Sequence, residues 1–388
     1  MVKKFFLIAG EASGDLLGSK LMIEIKSQQN QAVEFIGIGG DLMKKEGLIT
    51  IFPMEELSVM GFLEVLPHVP KLLRRIRQAA EIIFQEKPDF LITIDSPDFC
   101  FRVMKKLKNF HAAKKIHLIA PSVWAYRSGR AKKISKLYDL LLAILPFEPP
   151  YFEKVGLKTV FIGHPIVENI PDLSQKKILN DEFRKKYLIE NDDLVISLTP
   201  GSRSSEVKRI FPEFIKAINL LVAEKQNLKV IIPLVTKTKE IVTEMAKNLN
   251  VKYFLLEGEE KKSAFFAADF ALAKSGTNAV EFSLYNIPLV IAYKINSITH
   301  FLLRRMVKIK FANLINLILN EEIIPEMLQK KCEGKQLYKA LIKLIDNKNL
   351  AQKQIEKSSA ALRMIGFGST KLPTEKAVEE ILATSLMK

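Results

Sequence analysis

Short apolar runs alternate along this chain with longer amphipathic stretches. Residues 5–9, 35–38, 90–94, 116–119, 140–145 and 160–162 are runs of mostly apolar residues, separated by segments of helical periodicity. Such short runs between helices predict parallel strands buried on both faces, hence a doubly wound α/β domain. The polar segment 171–177 marks a boundary, after which the pattern restarts. Strands are expected at 194–198, 230–233, 253–256, 270–273 and 288–293, with helices between them. The reading is two Rossmann-like domains, 1–168 and 169–349, facing a central cleft. The tail, 350–388, reads as helices broken at Gly366-Phe367-Gly368 that pack back on the first domain.

In open α/β sheets, ligands sit beyond the carboxyl ends of the strands. The first strand ends in G-E-A-S-G-D at residues 10–15, whose small residues admit a ligand to the backbone and to a helix N-terminus. The plain alternative is a tight turn with Ser13 or Asp15 as the helix cap. The run 90–94 ends in I-D-S-P-D-F. Asp95 fits a general base aimed by a stiff turn at Pro97, and Asp98 fits a helix cap. In the second domain, Pro200-Gly201-Ser202-Arg203 lies between a strand and a helix: Gly201 for close approach, Ser202 and Arg203 for phosphate oxygens. Ser275-Gly276-Thr277 opens another helix, and Glu281 follows where it faces a ribose. Each segment alone is ordinary capping chemistry; two in one domain point to a nucleotide diphosphate.

Composition narrows the partners. With 388 residues, 59 Lys+Arg and 43 Asp+Glu, the formal charge is +16, which favours an anionic partner. Scattered basic residues and no recognised motif argue against nucleic acid. Five histidines without clustered spacing, and no D-x-D, H-E-x-x-H or Walker motif, argue against a protein-held metal. His164, after a strand, is the one histidine placed for a site. The two cysteines, Cys100 and Cys332, read as buried thiols of a reducing compartment. The N-terminal apolar run is too short for a signal peptide, and no run reaches the roughly 18 apolar residues of a spanning helix. A soluble or peripheral cytoplasmic protein is expected. Two stretches mix apolar and basic residues, 63–77 and 298–311. Each suits an acidic membrane surface, or equally a surface helix with a buried face.

Eight motifs in order resemble the lipid A disaccharide synthase family, inverting glycosyltransferases of the GT-B fold. They are G-E-A-S-G-D at Gly10, M-G-F-L-E-V-L at Met60, I-D-S-P-D-F at Ile94, P-S-V-W-A-Y at Pro121, L-P-F-E at Leu145, G-H-P at Gly163, P-G-S-R at Pro200 and S-G-T at Ser275. They cover about residues 5 to 330. The resemblance implies transfer of 2,3-diacylglucosamine from UDP-2,3-diacylglucosamine to the 6-hydroxyl of 2,3-diacylglucosamine 1-phosphate, called lipid X. The products are the β-1,6 lipid A disaccharide 1-phosphate and UDP, a step of lipopolysaccharide synthesis in Gram-negative bacteria. It implies no cofactor or metal, a peripheral place on the cytoplasmic face of the inner membrane, and leaves a homodimer open.

By the resemblance, the first domain takes the acceptor and the second the UDP-sugar. Asp95 matches the base, with Asp98 and Glu11 left open for that role. Ser13 and Gly14 line the first loop. Gly201, Ser202, Arg203, Ser275, Gly276 and Thr277 hold the diphosphate, with Arg203 countering the charge of the departing UDP. Glu281 meets the ribose, and Asn316 lies where the family has a functional asparagine. Leu63, Val65, Leu66, Val69, Leu72 and Leu73 form an acyl-chain and membrane patch. Tyr126 stands where the family often has Trp, and Asn278 where Ala is common. The competing readings are another UDP-sugar enzyme of the same fold, and a non-catalytic lipid- or anion-binding relative.

Overall fold

A computed structural model describes residues 2–29, 31–57, 69–126, 129–169, 172–258, 260–296 and 309–386. The chain forms two compact units, one of Met1–Glu168 with Gly368–Lys388 and one of Asn169–Phe367.

The first unit is built on seven parallel strands: β1 (Lys3–Ala9), β2 (Val33–Ile38), β3 (Leu48–Thr50), β4 (Phe90–Ile94), β5 (Lys114–Leu118), β6 (Leu140–Ala143) and β7 (Thr159–Phe161). Their order is β3-β2-β1-β4-β5-β6-β7. The chain runs outward from β1 to β3, then returns to lay β4 on the other side of β1. The order therefore reverses between β1 and β4, and the crevice of a doubly wound sheet opens at such a reversal. β1 lies in the middle of the sheet, and Phe6, Leu7, Ile8 and Ala9 are fully buried. Phe5 opposite Phe90 in register stacks on it, with ring centroids 4.8 Å apart.

The second unit repeats the scheme with β8 (Leu194–Thr199), β9 (Leu228–Pro233), β10 (Lys252–Leu256), β11 (Phe270–Lys274), β12 (Leu289–Tyr293) and β13 (Glu326–Leu328). The order β10-β9-β8-β11-β12-β13 reverses between β8 and β11. Two three-residue edge strands, β3 and β13, were absent from the sequence reading. They are too short to carry a periodicity, and pairing with a neighbour alone makes them strands.

Only the end of the tail returns to the first unit. The helix Pro373–Ala383 packs on the helix Ala12–Gln28, burying Ala377, Val378 and Ile381 in the first core. Glu168 fastens it, accepting from the Thr374 N–H at 2.7 Å and pairing with Lys20 at 3.1 Å. The helix Lys348–Met364, expected to return too, belongs to the second unit. There buried Gln354 accepts from the Leu289 N–H at 2.6 Å and donates to its carbonyl at 3.2 Å. Cys100 and Cys332 are both buried and free.

Candidate active site

At the first reversal, Gly10 follows β1 and Asp95-Ser96 follow β4. A Cβ on Gly10 would stand 2.3 Å from the Ser96 Oγ, so only glycine lets these strand ends approach. Asp95 and Ser96 are both left-handed, with φ of +50° and +45°. Two consecutive non-glycine residues there cost of order 1–3 kcal/mol each and persist where the surroundings over-determine them. Here the Asp95 N–H donates to the Leu118 carbonyl at 3.0 Å, and Pro97 opens the helix Pro97–Lys106. Asp95 is half-buried. Burial pushes its carboxyl above the usual range, while a hydrogen bond from the Ser96 backbone pulls the other way.

The other acids differ. Asp98 is exposed and paired with Arg130, whose guanidinium lies 5.9 Å from the Phe101 ring. Glu11 is half-buried at the N-cap of the helix Ala12–Gln28, but its side chain does not cap it. Ser13 is exposed and Gly14 buried in the first turn. Asp15 does not cap its own helix, as the sequence allowed. It is buried and accepts from the N–H groups of Gly40 (2.8 Å), Leu42 (3.1 Å) and Met43 (3.0 Å), anchoring the helix Asp41–Lys45.

The next two strand ends are tied by a pair that sequence reasoning passed over, although both residues stand in quoted motifs. Glu148 is buried and accepts from the Trp124 Nε1–H at 3.1 Å and from the N–H groups of Ile144 and Leu145 at 3.2 and 3.0 Å. Burial pushes its carboxyl up to about 7, against the pull of these three donors. Glu148→Gln turns one acceptor into a donor facing N–H groups. It is expected to destabilise the protein by about 1–3 kcal/mol, the cost of an unsatisfied buried group, measured by urea denaturation. His164 is buried and accepts from the Ile166 N–H at 3.2 Å, and burial lowers its ring to about 4. It is a neutral turn residue.

At the second reversal, Gly201, Ser202, Lys274, Ser275, Gly276, Thr277 and Glu281 line one cavity of about 400 Å³. Gly201 has φ +128°, and a Cβ there would meet Glu206 Oε2 at 2.8 Å. Arg203 holds the N-cap of the helix Ser204–Val222; its side chain is 59% exposed and 3.7 Å from Glu206. Burial raises the Glu281 carboxyl, and Lys261 opposes this.

Two of the expected binding residues are hydrogen-bonded within the fold. The Ser275 hydroxyl donates to the Ala312 carbonyl at 2.7 Å and its N–H to Ala292 at 2.9 Å, so both its donors are committed to the fold rather than to an anion. Asn316 is fully buried and its amide is saturated. It donates to the Ile324 carbonyl at 2.8 Å and Glu326 at 3.0 Å, and accepts from the N–H groups of Ile323 and Ile324 at 2.9 and 3.0 Å. No hydrogen-bonding capacity of the amide remains for a substrate, and Asn316 holds the fold together here. It shares Glu326 with Asn313 and Ala312, whose carbonyl holds Ser275. The polar residue in an apolar helix thus braces the pocket from behind.

Leu63, Val65 and Leu66 of the expected membrane patch lie outside the described residues, as does most of 298–311. Val69, Leu72 and Leu73 stand at the start of the helix Val69–Glu86. Leu73 is 45% exposed and Val69 36%, beside exposed Arg74 and Arg77. Ile76, Ala79, Ala80 and Ile83 are buried. Arg75 instead turns inward: it grips Glu56 with two bonds of 2.7 and 2.8 Å, stacks 4.7 Å over Phe52, and holds the Glu56 carboxyl down at about 2. Among the described residues no helix is long and apolar enough to cross a membrane.

The family described as Lipid-A-disaccharide synthetase matches residues 5–381. The chain belongs to the lipid-A-disaccharide synthase family. It is 41% identical over 379 residues to the Lipid-A-disaccharide synthase of Rhodospirillum centenum, covering 97% of this chain and 93% of that protein. With the Rickettsia canadensis synthase it shares 40% over 380 residues, covering 97% of each. Among solved structures, a Staphylococcus aureus MnaA–UDP co-structure superposes with a TM-score of 0.66 at 16% identity, covering 100% of this chain and 98% of that one. Acinetobacter baumannii MurG gives 0.59 at 13%, covering 98% and 99%. At such identities these structures carry the fold alone, which is GT-B. Family and fold together make the protein a glycosyltransferase-type enzyme.

Proposed function

We propose that this enzyme transfers 2,3-diacylglucosamine from UDP-2,3-diacylglucosamine to the 6-hydroxyl of lipid X, with inversion at the donor C1. The observation that carries this reading is Asp95, a half-buried carboxyl at the first topological reversal, in a backbone conformation fixed by its neighbours. A general base must be aimed, and a strained turn between a strand and a proline-opened helix aims it.

The acceptor's 6-oxygen attacks C1 of the donor sugar. Its proton passes to the Asp95 carboxylate as the C1–O6 bond forms. The bond from C1 to the phosphate oxygen breaks, and its electron pair leaves on UDP. One displacement inverts C1, giving the β-1,6 bond. UDP lies in the second unit's cavity, with Gly201 and Gly276 admitting the diphosphate and Glu281 meeting the ribose. Arg203 counters the leaving charge without a metal. Exposed Val69 and Leu73, with Leu72, Arg74 and Arg77, suit the headgroup region of an anionic membrane. On this reading the enzyme works peripherally at the cytoplasmic face of the inner membrane, where acylated substrates lie.

The test is an assay of the purified protein in detergent micelles with UDP-2,3-diacylglucosamine, radiolabelled lipid X and EDTA, resolved by thin-layer chromatography. A slower-migrating disaccharide phosphate is expected. Absence of product from folded, UDP-binding protein would reject lipid X as acceptor. Activity lost with EDTA and restored by a divalent cation would reject the metal-free mechanism.

A further inference from the structure

Charged residues outside the family motifs join the two glycine turns of the second unit. Lys274 is the last residue of β11 and lines the cavity; a Cβ on Gly276 would lie 3.8 Å from its Nζ. That ammonium pairs with Glu206 Oε1 at 3.0 Å and lies 5.8 Å from the centre of the Tyr293 ring. Glu206 stands under the other turn, against Gly201, and also faces Arg203. Its second oxygen is buried without a hydrogen-bond partner among the described residues.

At the two turns, two cations and one carboxylate leave one net positive charge, while Lys261 and Glu281, which also line the cavity, are of opposite sign. The two cations are not equivalent. The Lys274 side chain is 20% exposed and held at hydrogen-bond distance, whereas that of Arg203 is 59% exposed and farther from Glu206. A charge fixed before the reaction stabilises a transition state without reorganising during it. A tyrosine face and a carboxylate give Lys274 that fixity. The loop position gives Arg203 reach instead.

We infer that Lys274 is the fixed cation of the donor cavity, binding the diphosphate of a nucleoside diphosphate and stabilising the charge that gathers on it as the sugar departs, with Glu206 as its positioning residue. The inference rests on the UDP-sugar transfer proposed above. No proton moves in this role: the electron pair of the breaking C1–O bond stays on the diphosphate, and the ammonium faces it.

The experiment compares UDP with uridine, which lacks phosphate, by ligand-observed NMR titration of full-length wild type, Lys274→Met and Lys274→Arg, alongside the transfer assay. Lys274→Met is expected to weaken UDP by at least about tenfold and to lower kcat by about 10²-fold, the loss typical of one removed charge-stabilising donor. Uridine should be unchanged, and Lys274→Arg should restore UDP binding. Loss of both ligands together, or of neither, would overturn the inference, because a structural ion pair does not distinguish phosphate from nucleoside. If Lys274→Met fails to fold by circular dichroism, Lys274→Gln takes its place under the same criteria. Glu206→Gln should lower kcat while the donor KM holds; unchanged kcat would remove its positioning role. Wild type that binds UDP but makes no disaccharide would sink the transfer reading, and the UDP-against-uridine comparison would still decide Lys274.

Discussion

Replacing Asp95 with Asn is expected to reduce turnover by about 10²–10⁴-fold, the usual contribution of a positioned general base, while UDP affinity stays at the wild-type level. Asn keeps the shape of the side chain and tolerates the left-handed backbone at φ +50°, so the loss is chemical rather than structural. UDP binding is unaffected because the cavity at Gly201 and Gly276 belongs to the other unit. A matching effect is expected in wild type. Burial raises the Asp95 carboxyl, and a base works only when deprotonated. The acid limb of log kcat/KM against pH should therefore fall at a pH above the ordinary carboxylate range. Full turnover by Asp95→Asn would transfer the role to Glu11, because Asp98 is engaged with Arg130.

Asn316→Ala is expected to lower the melting temperature of the second unit by about 10 °C, from a loss of about 3–5 kcal/mol. The truncation leaves the N–H groups of Ile323 and Ile324 and the carbonyl of Ile324 without the amide that holds them. Each buried unsatisfied group costs about 1–3 kcal/mol. It also takes one donor from Glu326, which keeps those of Asn313 and Ala312. Scanning calorimetry measures the first effect, and a transfer assay well below the melting point measures the second. Activity should survive there. Unchanged melting with lost turnover would return Asn316 to the substrate.

The sequence by itself determined the repeated alternation of buried strand and amphipathic helix, and therefore two parallel sheets. It also marked the strand ends to read for chemistry: Asp95, Gly201 and Gly276 stand out because a carboxylate or a glycine just past an apolar run has a short list of uses, and Glu281 follows in the helix that Ser275-Gly276-Thr277 opens. The apolar run 5–9 was legible as an inner strand because a strand buried on both faces is apolar throughout.

Partner choice across the fold was not legible, because hydrogen bonds and ion pairs join residues far apart in the chain. Asp15 reads as a cap of its own helix, yet it anchors the helix at Asp41, 26 residues on. Ser275 and Asn316 look free for a ligand in a string of letters. Tertiary packing brings Ala312, Ile324 and Glu326 against them, engaging the donors of Ser275 and saturating the Asn316 amide. Lys274 and Glu206 carry no motif, and only the adjacency of β8 and β11 sets them beside both glycine turns. The short edge strands β3 and β13 and the retention of Lys348–Met364 by the second unit were likewise decided by available neighbours. Periodicity fixes which face of an element is buried; the tertiary structure decides what it is buried against.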